Sequence, residues 1–146
     1  MPVKAVPEGY HTVTPTLIVD GAARLIEFLT KAFGAQEKMQ IPMPDGKVAH
    51  AECLIGDSLI MLSDATPQFP ATSSTFYMYV ENADSVYQRA LEAGAISEMP
   101  LQDMFYGDRS GSVRDPFGNR WTIATHIEDV SDEEAMKRMA SAMPPA

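Results

Sequence analysis

The stretches "TPTLIVDGAARLIEFLTKAFGA" (Thr14–Ala35) and "TFYMYVENADSVYQRALEAGA" (Thr75–Ala95) carry the same order of signals. Each opens on a short alternating run that predicts a strand, Thr14–Val19 and Thr75–Val80. Each then reaches a polar capping region, at Asp20 or Asn82, and continues into a helix that stops at glycine. Leu25, Leu29 and Phe33 in the first helix, and Val86, Ala90 and Leu91 in the second, give each one buried stripe. The closing glycines, Gly34 and Gly94, are 60 residues apart.

Three further strand-like runs follow each helix. They are "EKMQIPM", "KVAHAECLI" and "SLIML" in the first copy and "ISEMPL", "SGSVR" and "RWTIATH" in the second. Turns at Pro44-Asp45-Gly46, Gly56-Asp57 and Pro116-Phe117-Gly118-Asn119 separate them. The expected class is α+β, a single domain over 1–128 built from two tandem βαβββ units. Unit one runs from about 10 to 64, a Pro- and Ser-rich linker from about 65 to 73, and unit two from about 74 to 127. The tail, 129–146, has a capping-box spacing at Ser131 and Glu134, then Met136, Met139 and Met143 at helical spacing. This predicts a short helix whose methionine face packs on its own domain or on a second subunit.

The composition narrows the function classes. With 20 acidic against 11 basic residues and a net charge of -9, the mean field repels phosphate backbones, so nucleic acid is not an expected partner. No apolar run is long enough for a membrane span and no signal-peptide pattern opens the chain, so a cytoplasmic protein without a membrane partner is expected. One cysteine, Cys53, leaves no disulfide framework and no cysteine-cluster zinc site.

The doubled unit, with "VDGAA" after the first strand and "RDPFGNRW" in the last hairpin, resembles the vicinal oxygen chelate superfamily of glyoxalases, bleomycin resistance proteins and extradiol dioxygenases. "AHAECLIGDSLIMLSDATP" and "FYGDRSGSVRDPFGNRWTIATH" look most like its PhnB-like branch. The resemblance implies a U-shaped mixed sheet with helices outside, cupping a ligand, and homodimerisation. It also implies metal ligands on the first and last strands of each unit. Those places fall on Thr14, Thr75, Ile60 or Met61, and Thr122, none of which supplies the imidazole or carboxylate such metals require. The expectation is therefore that the usual metal site is missing and no cofactor is bound.

Alternation from those positions points Thr14, Thr16 and Ile18, then Thr75, Tyr77 and Tyr79, into the cup. Ala49, Ala51 and Cys53 are assigned to the helix side, leaving His50 and Glu52 on the cup side with Ser112, Arg114, Thr122, Ala124 and His126. The ligand-binding candidates are thus Thr14, Thr16, His50, Glu52, Thr75, Tyr77, Tyr79, Arg114 and Thr122. His50 and Glu52 are the candidate base and orienter, or two ligands of an off-pattern metal. The blander expectation is that His50 bonds across the sheet and Glu52 pairs with Arg114. His126 would complete a triad, but a strand end beside an acidic tail favours an exposed histidine, and His11 has the same weak status. The two tyrosines offer flat surface to a ring or cation, or equally pack across the sheet.

Trp121 is expected in the core, and so is Cys53, as a small hydrophobe. Met39 and Met43 near the cup mouth are the candidates for an adaptable lining, the other methionines filling core gaps. Asp115-Pro116-Phe117-Gly118 reads as turn chemistry, Arg120 as a solvated charge, and Asp108 and Arg109 as braces of the rim loop.

The leading expectation is a metal-independent small-molecule-binding protein. By resemblance to the bleomycin resistance branch, its ligand would be cationic or aromatic. The alternative is a lyase, isomerase or other small-molecule enzyme using His50 and Glu52, with a divalent metal held together with His126. A structural or regulatory dimer with a filled cup is the third.

Overall fold

A computed structural model describes residues 2–142. In chain order the elements are β1 (Thr16–Val19), α1 (Ala22–Phe33), β2 (Gln36–Pro42), β3 (Val48–Ile55) and β4 (Ser58–Asp64). Then follow β5 (Thr75–Tyr79), α2 (Ala83–Glu92), β6 (Ile96–Asp103), β7 (Asp108–Arg114), β8 (Arg120–His126) and α3 (Asp132–Ala142). They form two four-stranded mixed sheets, ordered β1-β4-β3-β2 and β5-β8-β7-β6. In each, the first strand runs parallel to the last and the other neighbours are antiparallel. This is the tandem βαβββ arrangement that the repeat predicts.

The registers make the repeat exact to the residue. Thr16 lies beside Met61 and Tyr77 beside Thr122, an offset of 61 in both strands. The same offset relates two residues that cap the helices from the last strand. Asp64 accepts from the backbone N–H groups of Gly21 (2.7 Å), Ala22 (2.9 Å) and Val48 (2.7 Å). Burial opposes its charge, but these bonds hold its carboxyl below the ordinary range. Thr125 performs the neutral version, accepting from Ala83 N–H at 2.8 Å and donating to the Val80 carbonyl at 2.9 Å. Gly21 needs that outside cap because it supplies no side chain and sits at φ 114.

The helices of the two units pack on one another, and Leu17, Leu25, Leu29, Leu62, Val113 and Ile123 lie in one continuous core. Trp121 stacks on Phe76 at 4.4 Å between ring centroids and meets Phe33 at 5.0 Å, joining the units. Cys53 is buried as expected, and burial followed by the charge of Glu37 pushes its thiol up to about 11, which makes it inert as a nucleophile.

The "DPFGN" turn is more than turn chemistry. The carboxylate of Asp115, 3 % exposed, accepts from Phe117 N–H, Asn119 N–H, the Asn119 amide and the Trp121 indole. Asn119, fully buried, passes the network on by accepting from Ser74 N–H at 2.9 Å. One carboxylate thereby fixes the hairpin, the core tryptophan and the start of β5.

Four local expectations change. A register shift between Ile41 and Pro42 bulges the β2–β3 pair, so Val48, Ala51 and Cys53 face the core and Ala49 is exposed. Ala93, not Gly94, caps α2, and Tyr87 is among its buried residues while Val86 and Leu91 are only partly buried. β1 begins at Thr16, so Thr14 precedes the strand. Met136 and Met139 on α3 are 66 % and 44 % exposed, so their own domain leaves much of both uncovered, and Met143 lies outside the described residues.

Candidate functional site

β7 and β8 pair Asp108 with His126, Ser110 with Ala124, Ser112 with Thr122 and Arg114 with Arg120. Strand parity puts these residues on the face opposite the helices, with Thr75, Tyr77 and Tyr79 of β5. Asp108 is 2 % exposed, yet three side chains donate to it or share a proton with it. Tyr77 Oη donates at 2.5 Å, Tyr79 Oη donates to the same oxygen at 2.9 Å, and His126 Nδ1 sits 2.9 Å from the other. Burial alone would raise the Asp108 carboxyl, but the bonds from Tyr77, His126 and Tyr79 keep it below the usual carboxylate range. The tyrosines move the opposite way. Burial and then the Asp108 bond raise Tyr77, while the Asp108 bond and then burial raise Tyr79, so both stay neutral phenols.

His126 is half exposed and held from both sides, because its Nε2 lies 2.8 Å from Asp129. Asp108 first and Asp129 second raise its pKa, favouring imidazolium. Gly107 makes that geometry possible. Its carbonyl accepts from Ile127 N–H and Glu128 N–H, and a Cβ there would stand 2.1 Å from the Glu128 carbonyl oxygen. The aromatic rings remain accessible, Tyr77 46 % and Tyr79 64 % exposed, with centroids 5.3 Å apart at 56°. Asp108 is therefore no rim brace but the buried anchor of an aromatic patch, and His126 is part of it. Arg109 does brace, pairing with Asp84 and Asp103.

The first sheet presents a different pair. His50 Nε2 lies 2.8 Å from Glu52 Oε2, and Glu52 is 7 % exposed. Met39 and Met61 flank Glu52 across the strands, and Ile41 lies beside His50. This pairing replaces the expected Glu52–Arg114 ion pair. Arg114 lies on the other sheet and bonds Glu98, which Arg120 also bonds at 2.5 and 2.9 Å, so Arg120 is no free charge. His126 likewise belongs to the second sheet and shares no hydrogen bond with His50 or Glu52, so the three do not form a triad.

The strand registers refine the four metal positions. The residues beside Met61 and Thr122 are Thr16 and Tyr77, whereas Thr75 lies beside Arg120. Two hydroxyls, a thioether and a neutral phenol are poor donors for zinc, iron or nickel, and Thr122 is already bonded to Ser112 at 2.8 Å. Among the described residues no three His, Cys, Asp or Glu side chains converge to hold an ion. The donor set does not fit the metal that the fold family implies.

A groove of about 610 Å³ opens beside the tyrosines, between β5 and the β3–β4 turn. Phe33, Phe76, Met78, Trp121, Val13 and Leu59 are among the residues that line it. Its volume is that of an ordinary small-molecule site.

Comparison with known proteins agrees with the topology. The family described as the glyoxalase/bleomycin resistance protein/dioxygenase superfamily matches residues 10–123. An uncharacterized protein of Mycobacterium bovis is 38% identical over 140 residues, covering 88% of this chain and 92% of its own. Among solved structures, TioX from a Micromonospora species superposes with a TM-score of 0.64 at 24% identity, over 79% of this chain and 99% of its own. The PhnB protein of Bacillus cereus superposes with a TM-score of 0.60 at 20% identity, over 79% and 99%. These two likenesses concern the fold alone, whereas the family match spans most of the sequence: the chain belongs to the glyoxalase/bleomycin resistance protein/dioxygenase superfamily.

Proposed function

We propose that the protein binds a small molecule without a metal, on the tyrosine face of its second sheet, and that its ligand is cationic or aromatic. One observation carries the reading. Tyr77 and Tyr79 expose their rings while a buried carboxylate pins both hydroxyls, so the aromatic surface is held in place before any ligand arrives. Such preorganisation lowers the entropic cost of binding, and the rings present a negative π face. The net charge of -9 adds a field that attracts cations. Membership of the PhnB-like branch is part of the same proposal, supported by a PhnB protein of the same fold among the structural neighbours.

Calorimetric titration with a panel of cationic aromatic compounds tests this. Binding that is lost in Tyr79→Ala supports it, and no binding by any compound at millimolar concentration overturns it. We further propose a homodimer, since Met136, Met139, Met39 and Ile41 leave apolar surface that a second copy would cover, and a cytoplasmic location, since the one unpaired cysteine fits a reducing compartment. Sedimentation velocity would read its mass.

The enzyme reading is favoured by one separate observation, the His50–Glu52 bond with its buried carboxylate. Glu52 would orient His50 as the base of a lyase or isomerase. Stoichiometric divalent metal in untagged protein, lost in His50→Ala, or turnover lost in that variant, would establish it over the binding reading.

A further inference from the structure

Pro15 and Phe76 hold equivalent positions, 61 residues apart, and only Phe76 has a backbone N–H. On β5 the ladder continues back to Arg120 N–H on the Ser74 carbonyl at 2.9 Å. On β1 it ends with Met61 N–H on the Pro15 carbonyl, also at 2.9 Å. The chain before Pro15 therefore leaves β4. Residues 2–14 make no hydrogen bond to the rest of the described chain. The groove lies beside that departure, and Val13 and Pro15 are among the residues that line it.

The departure also leaves a strand edge without a neighbour. Val80 N–H bonds the Ala124 carbonyl at 2.8 Å, so in this parallel ladder the even residues of β5 face β8. The N–H and C=O of Tyr77 and Tyr79 then point the other way, into the groove, and have no backbone or side-chain partner among the described residues. The equivalent edge of β1 is not bare. There the linker comes close enough for Thr72 N–H to donate to the Ile18 carbonyl at 3.1 Å. Ile18 is the repeat mate of Tyr79, so the fold itself shows what this kind of edge accepts: a backbone amide.

We propose that the groove is the seat of a peptide-like ligand, an extended amide pairing with the backbone of Tyr77 and Tyr79. The inference rests on the small-molecule reading and names the chemistry of its ligand. At about 3.3 Å per residue, the β5 edge spans two or three amide units. Alternate side groups of such a ligand fall on Phe76, Met78 and Trp121 on one side and on the tyrosine rings on the other. Asp57 at the groove favours a ligand carrying positive charge or none.

The test uses full-length, ¹⁵N-labelled protein and two probes, N-acetyl-Val-Phe-Val-amide and its analogue with esters in place of both the Val–Phe and the Phe–Val amides, one of which faces the strand edge whichever register is taken. Expected are slowed exchange of the Tyr77 and Tyr79 amides with the peptide, and about tenfold weaker binding of the ester, the effect of one lost hydrogen bond. Equal affinity for both probes, no binding, or shifts confined to Asp108 and His126 overturns the proposal. So does slow exchange of the Tyr77 and Tyr79 amides before any probe is added, because the edge is then filled by the N-terminal segment or a second copy. Cationic aromatics that bind while the peptide does not would leave the proposed function standing and remove only this inference.

Discussion

The Tyr77 hydroxyl donates to the buried carboxylate of Asp108 at 2.5 Å, and Tyr79 donates to the same oxygen. Two exposed rings thus share one buried charge, and their positions rise or fall together. In Asp108→Ala both phenols lose their acceptor and His126 loses its inner partner. Stability should fall by about 1–3 kcal/mol, the range for disrupting a buried, hydrogen-bonded polar group. Urea denaturation measures it. Ligand affinity should fall in the same variant, more than in Tyr77→Phe, which keeps the ring and gives up only the bonds of its own hydroxyl, to Asp108 and Tyr106, leaving Tyr79 anchored.

The same cluster sets a pH dependence with two limits. The Asp108 carboxyl is depressed in the folded state, so its contribution is present above the unfolded value of about 3.9 and lost as pH falls through its lower folded value. His126 is raised, so its contribution is fully present below the unfolded value of about 6.5 and lost as pH rises through its higher folded value. Thermal melts across pH should therefore show a decline above about pH 6.5 that is absent in His126→Gln. If both proteins decline in parallel, His126 is not its source.

Asp115 gives a structural prediction of another kind. Its carboxylate accepts the Trp121 indole N–H at 2.9 Å as well as both backbone N–H groups of the turn. Asp115→Ala should destabilise the chain by about 2 kcal/mol or more and shift the emission of Trp121, the chain's one tryptophan. Asp115→Asn keeps part of the acceptor set and should recover part of the loss.

These sites differ in how well the sequence announces them. The doubled strand-helix-strand pattern is local and periodic, so the fold is legible from Leu25, Leu29, Ala90 and the turn residues alone. The tyrosine face is legible too, since strand parity puts Tyr77, Tyr79 and Thr122 on one side. The same parity, carried back two steps from Ser112, reaches Asp108, but an acidic residue beside a glycine at a strand start carries the same signal as a loop brace. The Glu52–Arg114 expectation failed for a different reason. Facing direction does not say which sheet supplies the partner, and Glu98 on the neighbouring strand β6 reaches Arg114 first. The bulge at Ile41 and Pro42 that exposes Ala49 has no marker in the alternation.

Pro15 allows the groove to be altered without touching the tyrosines. In Pro15→Val the backbone regains an N–H where Phe76 has one, aimed by the repeat at the Leu59 carbonyl. The new bond contributes about 1 kcal/mol, while losing proline's restriction of the unfolded chain costs about 0.4–1 kcal/mol, so net stability should barely move. Backbone order should spread instead. Hydrogen exchange is expected to show a protected amide at position 15, and Val13 is drawn toward β4, narrowing the groove. Affinity for N-acetyl-Val-Phe-Val-amide should then fall severalfold. Unchanged peptide affinity with a protected amide at position 15 would show that the departure of the chain at Pro15 does not shape the site.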